Sequence, residues 1–213
     1  MKHHSELINY LIEKFSLKSY LEIGTFNRDH NFNLIKAYQK TCVDPDPAAA
    51  ADHVCTSDHF FEVINKAHMC DGGDRQFGLI FIDGLHHADQ VRKDFENALE
   101  CLAPGGFIVL HDCNPPTEIT TCVPRGAQRE WCGDVYKFAC RLGEYNGIDF
   151  VTCDFDYGCA VVWREPVKVG KLIDQDITWE YFQENPALLR LIQVQEFVEL
   201  CEVGLIESCF ESV

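Results

Sequence analysis

"FGLIFIDGLHHADQVRKDFENALECLAPGGFIVLHDC", residues 77 to 113, decides the fold. It holds two continuous apolar runs, each closed by polar residues: Asp83 with His86 and His87, then His111 with Asp112. Between them "HHADQVRKDFENALECL" places Val91, Phe95, Ala98, Leu99 and Leu102 on one helical face. "PGG" punctuates before the second run. A strand apolar at every position is covered on both faces, and strands alternating with helices build a parallel α/β sheet. Ligands of such sheets sit beyond the carboxyl ends of the strands.

The pattern extends in both directions. Ser5 is a candidate cap for a helix with Leu7, Ile8, Leu11, Ile12 and Phe15 along one stripe. "SYLEIG" (19–24) reads as a short buried strand, "NFNLIKAYQK" as a helix, and "TCVDPDP" (41–47) as a strand that Pro45 ends. "AADHVCTSD" holds a third short strand and its loop, before a helix beginning near His59. Residues 114–130 carry no period and read as a long loop, a length usually tied to function or disorder. That loop is expected to be mobile and to close over an acceptor. "WCGDVYKFACRLGEY" follows as a helix, then "IDFVTCD" and "YGCAVVWRE" as an antiparallel pair turning at Phe155 to Tyr157. The end, "ITWEYFQENPALLRLIQVQEFVEL", is helical with a break at Pro186. The strand-end rule selects Glu22, Gly24, Asp44, Ser57, Asp58, Asp83, His86, His111 and Asp112.

Composition bounds the function. The 213 residues, 46% hydrophobic and 24% charged, suit one globular domain over 1–213. Acidic residues number 34 against 18 Lys plus Arg, a formal net charge of −16. Such a field repels phosphate backbones and anionic membranes, so neither nucleic acid nor membrane is an expected partner. No apolar stretch reaches the roughly 18 residues of a membrane span. The first residues, "MKHHSELINYLIEKF", lack the apolar run of a secretory signal, so a cytoplasmic location is expected. None of the 12 cysteines forms a C-x-x-C pair, and they read as reduced, buried, small apolar residues.

The first turn, "EIGTFNR", has one glycine and lacks the G-x-G-x-x-G of a dinucleotide fold. It resembles instead the E-x-G-x-x-x-G turn of class I S-adenosylmethionine (SAM) dependent methyltransferases, with Arg28 where that family has its last glycine. "VDPDP", "SDHFF", the 77–115 block, "DVYKF" and "DFDYGCAVV" resemble, in that order, the type 24 methyltransferase domain. The resemblance covers roughly 19–163, leaving a helical tail over about 172–213 whose "TWEYFQENPALLRLI" is also similar to that of close relatives. It implies a Rossmann-like fold: a mostly parallel seven-stranded sheet, helices on both faces, the last strand antiparallel.

The resemblance also implies roles. Gly24 and Thr25 would lie against SAM, Glu22 at its amino-acid end, Asp44 on the ribose hydroxyls, Ser57 and Asp58 beside the adenine, and Asp83 close by. The spacing of Asp83, His86, His111 and Asp112 resembles that of metal-dependent sugar O-methyltransferases of macrolide biosynthesis. There the positions of Asp83 and Asp112 are magnesium ligands and that of His86 is the catalytic histidine. His111 stands where a carboxylate ligand is found, and imidazole suits manganese, iron or zinc better than magnesium. Either a softer ion is held by Asp83, His111 and Asp112, or two carboxylates alone touch Mg2+. His87 is expected off this face, because a helix turns about 100° per residue. Asn114 is either a further ligand or a turn residue. Trp131, Asp134 and Lys137 match the family's pattern after the long loop and are candidates for the acceptor pocket, or a helix cap with a packed Trp.

The expected function is SAM-dependent O-methylation of a small hydroxylated acceptor, a sugar or a phenol, with a divalent ion. Two alternatives stand beside it. One is a metal-free enzyme with His86 or Asp112 as base; the other is a SAM-binding protein without turnover, signalled by Arg28. A homodimer is left open.

Overall fold

The computed structural model describes residues 1–71 and 76–206, with no side-chain description for 65–71. Its strands are β1 (Ser19–Ile23), β2 (Gln39–Asp44), β3 (His53–Val54), β4 (Phe77–Ile82), β5 (Leu102–Leu110), β6 (Ile148–Cys153), β7 (Cys159–Arg164) and β8 (Leu191–Ile192). They form one sheet in the order β3-β2-β1-β4-β5-β7-β6-β8. All pairings are parallel except those of β7, which runs antiparallel to both β5 and β6. The fold is therefore the expected Rossmann-like one, with eight strands instead of seven. The eighth comes from the tail, where "LI" pairs with Thr152 and Cys153 at the sheet edge. Two residues are too few to register as a period in the sequence.

Side-chain alternation sorts each strand between two cores. Ile80 and Ile82 of β4, with Ile108 and Leu110 of β5, face a cluster that holds Phe61, Val91, Phe95 and Phe138. Leu79 and Phe81, with Phe107 and Val109, face the opposite cluster with Leu7, Ile8, Leu11 and Phe197. The first layer is built by α2 (Ser57–Asp71), α3 (Ala88–Glu100), α4 (Val135–Ala139) and α5 (Trp179–Glu184). The second is built by α1 (His4–Lys14) and α6 (Val194–Glu202). Each fully buried Leu, Ile or Phe contributes about 1.5–3 kcal/mol, so both cores hold the sheet rigid beneath its loops. Eight of the cysteines described are buried and none is bridged, as small apolar residues would be.

Several local expectations change. Asn31 to Lys40 holds only a short 3-10 turn, Phe32–Leu34, in place of a helix. Side chains take the backbone groups a helix would have paired: Lys40 donates to the carbonyls of Phe32 and Ile35, and Asn9 bonds Leu34 and Lys36. The first helix is capped by His3 instead of Ser5, whose amide donates to the His3 ring. α2 begins at Ser57, two residues before His59, with Thr56 Oγ1 accepting from the His59 amide. β5 runs through the "PGG", and the helix expected from Trp131 shrinks to Val135–Ala139. Phe77 and Leu79 pair across a register shift, which lets the glycine-rich stretch stay in the strand.

Candidate active site

The sheet reverses direction of growth between β1 and β4, and their carboxyl ends flank the crevice where such folds bind ligands. A cavity of about 1080 Å³ opens there, lined by Glu22, Gly24, Thr25, Asp44, Ser57, Asp58, Asp83 and His86 among others. Eight of the residues expected at the site thus share one cavity wall. His111 and Asp112 do not line it; they are buried behind Asp83 and His86.

At the β1 end, Glu22 is 1% exposed. Its Oε2 accepts from the Tyr20 hydroxyl at 2.6 Å and from Asn31 Nδ2 at 2.5 Å. Burial pushes its carboxyl up to about 7, against the lowering effect of those two hydrogen bonds. Its Oε1, together with Thr25 Oγ1 and Asn31 Oδ1, is buried with no protein partner. All three residues line the cavity, and Glu22 Oε1 and Asn31 Oδ1 are acceptors that a bound donor could use there. Gly24 has φ +88°, and a Cβ on it would stand 2.2 Å from the Asp83 carbonyl. The glycine is demanded by the contact between the β1 and β4 ends, a closer constraint than the approach of a ligand.

Asp44 is held in place by the backbone. Its Oδ2 accepts from the amides of Thr25 and Phe26 at 2.9 and 2.8 Å, and its Oδ1 from Asp46 at 2.8 Å. The carboxylate therefore clamps the β1 turn to the end of β2 and keeps lone pairs for a further donor. Ser57 and Asp58 begin α2, where Gln90 Nε2 reaches Asp58, Asp94 and Ser57. Arg28 points away from the cavity, donating to Asp52 at 2.8 Å and to the Ala50 carbonyl, with its guanidinium over Phe32. It ties the β1 turn to the β2–β3 loop, which gives it a structural task.

The β4 and β5 ends carry the charge cluster. His86 Nε2 lies 3.2 Å from Asp83 and its Nδ1 3.0 Å from Asp112, while His111 Nδ1 lies 3.1 Å from Asp83 and 3.5 Å from Asp112. Burial alone would lower both imidazoles, yet the two carboxylates outweigh it. His86 sits above its ordinary pKa and His111 well above. Burial would conversely raise Asp83, but His111 and His86 hold it well below the carboxylate range. Asp83, His86 and Asp112 offer donor atoms all within 4.8 Å of one another, a fit for a divalent ion. His111 is hydrogen-bonded behind that trio. Both His86 and Asp112 take positive φ, 57° and 60°, a backbone cost typical of aimed functional groups.

The later candidates separate. Trp131 stacks on His86, ring centroids 5.0 Å apart, and lines the cavity beneath Arg125. Asp134 instead caps α3, accepting from the Ala88 amide at 2.8 Å, and Lys137 pairs with Asp134. His87 and Lys137 face a second cavity of about 960 Å³ beside Trp179. Asn114 gives its amide to Asp154, as a turn residue would. The sequence reading missed Asn31, Gln90, His3 and His4 as cavity residues. The adjacent histidines at 3 and 4 were the one visible signal, set 152 residues from their acidic partner Asp156.

Residues 18–113 match a family described as a methyltransferase domain. No curated protein sequence matches the chain. Among solved structures, the chain is similar to an O-methyltransferase from Bacillus cereus in complex with S-adenosylhomocysteine, at 13% identity. That match covers 76% of this chain and 80% of the other, with a TM-score of 0.53. It is likewise similar to S-adenosylhomocysteine-bound PaMTH1 of Podospora anserina at 15% identity, covering 76% and 78%, TM-score 0.52. A third is the O-methyltransferase TomG of Streptomyces achromogenes, involved in tomaymycin synthesis and bound to SAM, at 15% identity, covering 76% and 79%, TM-score 0.50.

Proposed function

We propose that this chain, a class I SAM-dependent methyltransferase of the type 24 domain family, methylates a hydroxyl of a small acceptor, a sugar or a phenol, with help from a divalent ion. The observation that carries the reading is one cavity with two chemically distinct ends. Unpartnered acceptors on Glu22 and Asn31 stand at one end, and Asp83 and His86, backed by the buried Asp112, stand at the other.

SAM fits the first end. Glu22 has a carboxylate oxygen free for an ammonium group, Asp44 has lone pairs left for ribose hydroxyls, and the Ser57–Asp58 turn flanks the wall beyond. The sulfonium already activates the methyl, so the protein's share is alignment and removal of the acceptor's proton. His86 is the base: it lines the cavity, its ring is fixed by Trp131 on one face, and Asp112 stabilises the imidazolium that forms. Asp83 and Asp112 would hold a divalent ion, with His111 fixing Asp83 from behind; bound there, the ion would lower the hydroxyl's pKa and favour the neutral imidazole.

A second reading has its own support. Asp83 and Asp112 already pair with His86 and His111 with no ion between them, so the cluster holds together metal-free, with Asp112, or His86 once it has given up its proton, as the base. The reading without turnover loses its motive, since Arg28 is occupied by Asp52.

Transfer of labelled methyl from SAM to a panel of sugars and phenols, with Mg2+ or Mn2+ and with chelator, separates these. Methyl ether formation that needs the ion supports the first reading. Transfer undiminished by chelator leaves the metal-free base, and SAM binding with no transfer to any acceptor leaves binding alone.

A further inference from the structure

A second group of metal-type donors lies outside the cluster described above. His3, His4 and Asp156 offer ligand atoms within 4.8 Å of one another. His3 is the extended cap residue of α1 and His4 its first helical residue, so the two consecutive rings fold to the same side, centroids 3.9 Å apart. Asp156 comes from the β6–β7 turn, at φ 49°, and its Oδ2 lies 2.8 Å from both the His4 amide and His4 Nδ1. Capping of the helix accounts for the His4 amide contact and for His3 Nδ1, which accepts from the Ser5 amide; it does not account for the second ring, His4, held on the same carboxylate oxygen. The independent observation is His111. Its Nδ1 faces Asp83, while its Nε2 is buried without a hydrogen-bond partner and points at Asp156 Oδ2 from 3.7 Å. His111 as a whole is 9% exposed, so that nitrogen is desolvated and directed into the group.

We infer that His3, His4 and Asp156 form a second cation site, for a zinc-class transition-metal ion, with His111 Nε2 as a further donor once the ion displaces its proton. Two or three imidazoles with one carboxylate suit zinc and its neighbours, and hard magnesium far less. Zn–N bonds of about 2.0–2.1 Å set tetrahedral ligands about 3.4 Å apart, so the donors need only small movements. His3 and His4 also line the large cavity, which supplies an entry path. An ion here would pin the start of α1 to the β6–β7 turn. It would put His111 between two sites, Nδ1 toward one and Nε2 toward the other.

The test is zinc stoichiometry of the full chain after dialysis against Zn2+, with calorimetry for affinity. The Asp83→Asn/Asp112→Asn protein, in which the first cluster is broken, is expected to keep one equivalent. His3→Ala and Asp156→Asn in that background are expected to weaken it at least about tenfold. In the wild-type background the same changes remove this equivalent and no other, a comparison that stands if the double variant fails to fold. Zinc-edge absorption should report imidazole ligands. Stoichiometry and affinity unmoved by His3→Ala, in whichever background folds, overturn the site, as does wild-type protein that retains no zinc. Loss of zinc only in the Asp83/Asp112 variants counts against this second site and leaves the first intact.

Discussion

Replacing Glu22 with glutamine isolates the polar end of the cavity. The carboxyl is 1% exposed, and burial lifts it from 4.5 to about 7. That rise corresponds to about 3 kcal/mol against the ionised form. The folded state holds the proton more tightly than the unfolded chain, so stability falls as pH rises from 4.5 and levels off above 7. Between pH 5 and 8 the loss from this group is about 2.5 kcal/mol. Glutamine does not titrate and can still accept from Tyr20 and Asn31 where Oε2 does now. Denaturant melts of both proteins across that range are therefore expected to diverge, with the variant gaining on the wild type as pH rises. His86 and His111 titrate alike in both, so the difference reports Glu22. A SAM ammonium resting on Glu22 reverses the preference and expels the proton. Calorimetric SAM affinity of the wild type should then weaken about tenfold per pH unit below 7, while the variant binds more weakly and without that slope. Parallel stability curves, or a SAM affinity with no slope, would refute both the burial of the charge and its place at the cofactor.

Gly24→Ala drives a Cβ to 2.2 Å from the Asp83 carbonyl at φ +88°, so it should cost at least about 2 kcal/mol in thermal melts and weaken SAM binding; a melt unchanged from wild type would contradict this. Trp131→Ala, which frees the ring of His86, should lower the rate and raise the acceptor KM while SAM affinity stays within about twofold, as calorimetry would show. In hydrogen exchange, amides of 123–130, most of whose residues are exposed, should exchange fast in the free protein and slow when cofactor and acceptor bind. The amides of Cys132 and Gly133, bonded to the Thr120 carbonyl, should stay protected in both states.

What could be read from the chain follows the range of the interactions. The alternation of Leu79 and Phe81 against Ile80 and Ile82 is local, so an unbroken apolar run is enough to announce a strand buried on both faces. The meeting of Asp83 and His86 with His111 and Asp112 was equally legible, because β4 and β5 are neighbours and each run ends at the same sheet edge. The Asn31–Lys40 segment misled because its apolar residues hold a helical spacing while Lys40 and Asn9 claim the backbone. Asn31 beside Glu22 and Asp156 beside His4 depend on loop geometry, for which the sequence carries no period. The eighth strand needs the edge of β6 before two residues mean anything.

Methyl transfer at this cluster is tested most directly by diffraction from crystals grown with S-adenosylhomocysteine and Mg2+. The expected density places the adenine beside Ser57 and Asp58, the ribose on Asp44, the amino group on Glu22, and the sulfur facing Asp83 and His86. A nucleoside seated instead in the cavity beside Trp179, or a sulfur turned away from His86, would contradict it.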